Sequence, residues 1–242
     1  MTRLLDCRRL LRPNPKMATP TPTESVIPRQ SLQAEVVSRL RDEIVEGVWA
    51  PGSRLQERLL CERYGISRSP LREAYQVLTA EGLLELSPNR GAVVTAPTLE
   101  DVIEHHILLR ALECLAIELA CERATDEELH HIDVLHEKMH GCHKANNMAA
   151  YFKLNNEVHR AIVAASHNEP LLSTREVMAR HIIRTQNLRG ALERSSNSSM
   201  HEHDVFIEAL LARKKRAAVT GLRKHLNTVE REMRERLEAS ES

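Results

Sequence analysis

The sequence predicts a mainly α-helical protein: a small N-terminal unit of short helices and a hairpin, followed by an all-α unit of six helices in an antiparallel bundle. Three observations carry this. Between Leu55 and Val94, two short helical patterns and one extended pair are punctuated by Gly65, Gly82 and Gly91, residues that end helices and tighten turns. From Leu99 onward apolar residues recur at helical spacing, interrupted by polar or Pro-containing breaks such as SHNEP and RSSNSS. With 242 residues, 42% of them hydrophobic, the chain exceeds the usual single-domain size and can fill two cores. Aromatic residues make up only 2%, so leucine and alanine must do the filling. The expected divisions are a disordered tail over 1–29, a first domain over 30–96 and a helical domain over 97–242.

The tail is expected to be disordered because Pro13 to Pro28 is rich in proline and threonine. Leu10 and Leu11 are hemmed by Arg8, Arg9 and Arg12, which argues against a signal peptide, and Met17 is an alternative start. Next, Leu55, Leu59 and Leu60 fall at helical spacing, and Gly65 closes that helix. A second helix follows at once. Ser67 or Ser69 can cap it, Pro70 suits its first turn, and Leu71, Ala74, Tyr75 and Leu78 form its buried stripe before Gly82 ends it. Leu83, Leu84 and Leu86, the turn SPNRG, and Val93 with Val94 then read as a hairpin with Arg90 at its tip.

Two short helices, a tight turn and a glycine-tipped hairpin in this order describe a winged helix-turn-helix, a device for reading DNA. Its second helix enters the major groove by its N-terminal end, where Arg68 and Arg72 lie four apart and Ser67 and Ser69 can bond phosphate or base edges. Arg58 on the preceding helix is placed to hold the DNA backbone. On the wing, Asn89 and Arg90 are expected to reach the minor groove, with Gly91 keeping the tip narrow. The bland alternative is a solvated charged face. The chain's net charge of zero argues against a non-specific DNA coat, yet Arg54 to Arg72 holds five arginines and two glutamates, so the positive field is local.

The bundle is expected to run Leu99–Arg123, Thr125–Lys144, Asn147–Ser166, Glu169–Leu188, Ser198–Arg213 and Lys214–Ala239. All 13 histidines lie in this half. His159, His203 and His225 each have an apolar neighbour at helical spacing and can point inward, and Asn155 lies one turn before His159. Brought together from three helices, they would suit a divalent transition metal held by imidazole nitrogens with positions left open; ordinary core histidines fit the same spacing. A metal-dependent hydrolase using this three-histidine site is the alternative from another class. It lacks an H-x-x-E-H arrangement, and Glu157 faces away from His159 on the helix. Arg110 interrupts the apolar run ILLRALECLAIELA, so it needs an anion: either a bound small carboxylate or an ion pair with Glu113 or Glu157. Arg180 and Arg184, with His181, share a helical stripe that can line the same cavity.

Five scattered cysteines with no C-x-x-C pair suggest reduced thiols and a cytoplasmic protein. No apolar run approaches the roughly 20 residues of a membrane span.

The runs VVSRLRDEIVEGVWAPGSRLQE, GISRSPLREA and NRGA resemble those of GntR-family transcriptional regulators. That resemblance implies operator contacts at Arg58, Arg68, Arg72 and the wing Gly91, with Tyr75 standing where a leucine is usual. The pieces LLRALECLAIELA, LNNEVHRAIVAASHNEPLL and EHDVFIEALLARKKRAAVTGLRKHL resemble the helical ligand-sensing (FCD) domain of the FadR-like branch. For that branch the resemblance implies a metal site of one aspartate and three histidines, carried over to Asn155, His159, His203 and His225, and an effector-facing arginine at Arg110. Here asparagine replaces the aspartate, so zinc or nickel would be held without its negative charge and less tightly. The implied function is a homodimeric regulator, a repressor, on a palindromic operator, controlled by a small organic acid and not an enzyme. An architectural DNA protein without an effector is a third expectation.

Overall fold

The computed structural model describes residues 30–87, 91–188 and 197–239; the expected tail and the wing residues Asn89 and Arg90 lie outside them. The N-terminal part contains α1 (Gln30–Val45), β1 (Arg54–Leu55), α2 (Glu57–Tyr64), α3 (Arg68–Ala80), β2 (Leu84–Ser87) and β3 (Gly91–Val94). Val36, Val37, Leu40 and Ile44 form one face of α1 and meet Leu71, Ala74, Tyr75 and Leu78 of α3 in a single core. Gly65 closes α2 in the left-handed conformation, at φ 64°, where a side chain would be strained. The three strands pair antiparallel in the order β1-β3-β2, with Leu55 opposite Ala92 and Leu84 opposite Val94.

Leu55 was expected in the first helix of the motif and instead lies in β1. It is buried at 2% exposure, whereas Leu59, its supposed helical companion, is 45% exposed. A two-residue strand leaves no periodic trace, so the leucine spacing misleads. Tyr75 is buried, but its hydroxyl finds no hydrogen-bond partner. The core therefore accepts the ring in place of a leucine and leaves its polar end unsatisfied.

Six helices follow among the described residues: α4 (Leu99–Arg123), α5 (Asp126–Lys144), α6 (Met148–Ala164), α7 (Glu169–Leu188), α8 (Asn197–Leu211) and α9 (Lys215–Ala239). Capping boxes start two of them. Thr98 and Asp101 exchange hydrogen bonds at the head of α4, as Thr125 and Glu128 do at α5. Helix α4 packs against α6, α7, α8 and α9, which explains its nearly continuous apolar run. No described helix is long and apolar enough to cross a membrane.

Helices α8 and α9 meet closely at Gly221, where an added Cβ would stand 3.0 Å from Phe206 Cβ and 3.3 Å from its Cα. Phe206 backbone cannot yield, so a larger residue must push apart the two helices that carry His203 and His225. Gly221→Val is expected to destabilise the fold by about 1–3 kcal/mol. A denaturation midpoint equal to or above wild type would contradict this contact's tightness.

Candidate DNA-reading head and histidine centre

Helix α3 presents Arg68 and Arg72 outward from its N-terminal turn, both exposed. Arg72 donates two hydrogen bonds to Glu57, at 2.9 and 3.0 Å, and Arg58 pairs with Glu62 at 2.8 Å. These are surface ion pairs, each worth about 0–1 kcal/mol, so a phosphate can displace the carboxylate at little cost. Ser67 occupies the N-cap in extended conformation, but its side chain makes no cap hydrogen bond, and the Ser69 hydroxyl donates to Glu73 at 3.3 Å. The expected side-chain cap is thus absent, and Ser67 is exposed at the helix N-terminus, the end that favours an anion. Gly91, at φ 71°, opens β3 beside the side chain of Arg54. Arg54, one of the five arginines of the local positive field, stands at the wing's base opposite Val93, a position fixed by the pairing of β1 that spacing does not reveal.

The three histidines converge. His159 of α6, His203 of α8 and His225 of α9 are all buried, at 4%, 0% and 2% exposure, with ligand atoms within 4.8 Å of one another. Two of their Nδ1 atoms are hydrogen-bonded and the third, on His225, is not. His159 Nδ1 donates to Glu113 at 2.7 Å, His203 Nδ1 donates to the Ser199 carbonyl at 2.8 Å, and His225 Nδ1 lies 3.6 Å from Glu202. The Ser199 bond needs a turn of helix before His203, and α8, which starts at Asn197, supplies it. Burial and the neighbouring imidazoles of His225 and His159 hold His203 well below the usual imidazole range, and burial likewise lowers His225.

His159 Nε2 and His203 Nε2 face each other across 3.2 Å, a distance at which the two nitrogens share a proton. A metal ion ligated by both nitrogens can take the place of that proton. The ring orientations, set by a carboxylate and a carbonyl on the outer side, are those of metal-ligating histidines. The residues present therefore fit a divalent metal.

Behind His159 stands a buried ion pair that the sequence did not reveal. Glu113 of α4 accepts from His159 and, at 2.9 Å, from Arg175 of α7. Burial pushes the Glu113 carboxyl up, but His159 and Arg175 outweigh it and hold it down to about 2. A glutamate inside the apolar run of α4 was the available signal. Its partner, 62 residues away, was not legible.

Three expected cavity residues lie elsewhere. Arg110 already has its anion: it pairs with Glu230 of α9, donates to Asn227 at 2.8 Å, and lines a groove of about 580 Å³ between α4 and α9. The expected partners Glu113 and Glu157 are not its partners. Arg180 and Arg184 reach the N-terminal head. Arg180 approaches Glu81 at 3.7 Å, and the buried Arg184 donates to Thr95 Oγ1 at 2.7 Å and to the Thr95 carbonyl. His181 between them meets the Glu81 carbonyl at 2.8 Å. The reason is helical geometry: positions 180, 181 and 184 share one face of α7, while Arg175 lies on the other. One helix thus touches both the histidine centre and the head.

His106 of α4 is also buried, its Nδ1 has no hydrogen-bond partner, and burial pushes it down to about 4. Between that value and the ordinary 6.5 the unfolded chain binds the proton that the folded chain refuses. In the metal-free protein, stability should therefore fall as pH drops from 6.5 to about 4, by on the order of 3 kcal/mol from this group. His106→Leu should flatten that part of a denaturation-versus-pH curve, and an unaltered slope would show that His106 is not the group responsible.

An arginine-bearing helix-turn-helix joined to a helical bundle with a buried ligand-competent centre defines a transcriptional regulator. Residues 32–94 match the bacterial regulatory proteins of the gntR family and residues 104–228 match the FCD domain. The chain belongs to the GntR family and is a DNA-binding regulator with an FCD ligand-binding domain, not a hydrolase. Among curated relatives, the HTH-type transcriptional regulator YdhC of Bacillus subtilis (strain 168) is 31% identical over 193 residues, covering 78% of this chain and 85% of YdhC. The Nta operon transcriptional regulator of Aminobacter aminovorans is 37% identical over 171 residues, covering 68% and 76%. Among solved structures, E. coli McbR/YncC superposes with a TM-score of 0.70 at 22% identity, over 85% of this chain and 98% of that one, a likeness of fold.

Proposed function

We propose that the chain is a homodimeric repressor whose grip on a palindromic operator is set by a small organic acid bound at a metal-loaded histidine centre. The observation that carries the metal is the convergence of three buried imidazoles, their ligand atoms within 4.8 Å of one another and His159 Nε2 only 3.2 Å from His203 Nε2. His159, His203 and His225 would hold zinc or nickel, with Asn155, half-buried one turn before His159, as a neutral fourth donor. A bound metal of this kind supplies Lewis-acid positions for a carboxylate. Arg110, engaged by Glu230, is given no part in holding the acid, and Arg180 and Arg184 serve the head rather than the ligand.

Helix α7 supports the coupling. Arg175 ties it to Glu113 and thereby to His159, and two turns on, Arg184 and His181 tie it to Thr95 and Glu81 beside the wing. A change at the centre that tilts α7 would re-aim α3. The dimer reading rests on α4, which exposes Ile107, Leu108 and Leu115 at 42–46%. A two-fold dimer pairs with an inverted DNA repeat, and repression follows from occupancy of that DNA. The head reads the operator through Arg58, Ser67, Arg68, Ser69 and Arg72, with Asn89, Arg90 and Gly91 on the wing.

The test is a thermal-shift screen of the full chain against hydroxy acids, sugar acids and dicarboxylates, with and without zinc or nickel. A stabilising acid that acts only on the metal-loaded protein, and fails with His225→Ala, supports the reading. Acids that act equally without metal, or none that acts at all, would reject it.

A further inference from the structure

We propose a second divalent-metal site, distinct from the three-histidine centre, formed by His136 and His140 of α5 with Asp204 of α8. Their ligand atoms lie within 4.8 Å of one another. His136 and His140 are one turn apart on α5, so both rings project from one helix face, and Asp204 Oδ1 sits opposite, 3.3 Å from His136 Nε2 and 2.6 Å from His140 Nε2. A single carboxylate oxygen thus faces two imidazole nitrogens: the 3.3 Å approach of His136 matches a ligand–ligand edge around a tetrahedral metal, and the 2.6 Å His140 contact is a hydrogen bond that a metal would replace.

The independent observation is His136 itself. Its side chain is 9% exposed, yet Nε2 has no hydrogen-bond partner, because the approach to Asp204 is badly aligned for a hydrogen bond. A buried ring nitrogen beside a carboxylate and a second imidazole, but hydrogen-bonded to neither, is free to ligate an ion. The donor set of two imidazoles and one carboxylate suits zinc and its neighbours rather than calcium or magnesium. His140 and Asp204 are 33% and 42% exposed, so the site opens to solvent and water can complete its coordination.

The two centres differ in a way that decides their behaviour. The inner one is sealed and, with Asn155, carries no charged ligand. The outer one carries the charge of Asp204 and exchanges freely with solvent. They are adjacent, since Asp204 follows His203 and the His136 and His203 rings lie 6.4 Å apart. Metal at the outer site pins α5 to α8, the helix that also carries His203.

The experiment is equilibrium dialysis of the full-length protein against buffered free zinc, with metal counted per protomer. Wild type should hold two zinc ions, and His140→Ala and Asp204→Asn should each hold one. His140 is partly exposed, so its loss leaves the fold intact. His225→Ala should also hold one, because it empties the other centre. If His140→Ala and Asp204→Asn both bind as much zinc as wild type, the outer site does not exist. A drop with these variants but none with His225→Ala would uphold the outer site and reject metal at the inner one. Cobalt gives a second readout, since the visible band lost in His140→Ala should differ from that lost in His225→Ala.

Discussion

Replacing Arg68 or Arg72 by alanine is expected to weaken operator binding by about 1–3 kcal/mol each, and replacing both should leave only non-specific affinity. Both side chains project from the N-terminal turn of α3, the part of a recognition helix that meets base edges, and neither contributes to the head's core. The melting temperature of each variant should stay within experimental error of wild type. Arg72 must release Glu57 to reach DNA, and the exposed pair is weak enough to allow it. A gel-shift titration in which the double variant binds the operator as tightly as wild type would remove α3 from the interface.

Glu113→Ala should be the most damaging single change in the bundle. It strands the Arg175 guanidinium, 3% exposed, without its carboxylate, and removes the acceptor that orients His159. Breaking a buried pair from one side costs about 3–5 kcal/mol, which is a large share of a domain's total stability. Urea denaturation should show that loss. Removing both charges with Glu113→Gln and Arg175→Met should recover much of it, because the desolvation cost of the charges disappears as well. A Glu113→Ala protein as stable as wild type would mean that Arg175 escapes to water and that the pair does not anchor α7.

What the sequence made legible were features with a period or a punctuation mark. The α3 stripe, the Gly65 stop and the six bundle helices each fall within a few residues of expectation, because apolar spacing and helix breakers are local properties. The convergence of His159, His203 and His225 was also foreseeable, since each sits on an inward stripe of its own helix. Partnership was not. Arg110 finds Glu230 some 120 residues away, and Glu113 finds Arg175; periodicity gives the face a side chain occupies but not what covers it. Arg180 and Arg184 show the same limit, because the contacts their stripe makes with Glu81 and Thr95 of the head leave no trace in its spacing. Leu55 failed because a two-residue strand has no pattern to read.

The claim on which the account rests is that the histidine centre and the recognition helix are energetically linked. With an operator selected from random duplexes by the full-length protein, its affinity should be measured by fluorescence anisotropy with the metal-loaded centre empty of acid and then saturated. Operator affinity should change by at least about fivefold, matched by an equal change in acid affinity when the operator is bound, because coupling between two sites is reciprocal. An operator affinity identical with and without the saturating acid would contradict it.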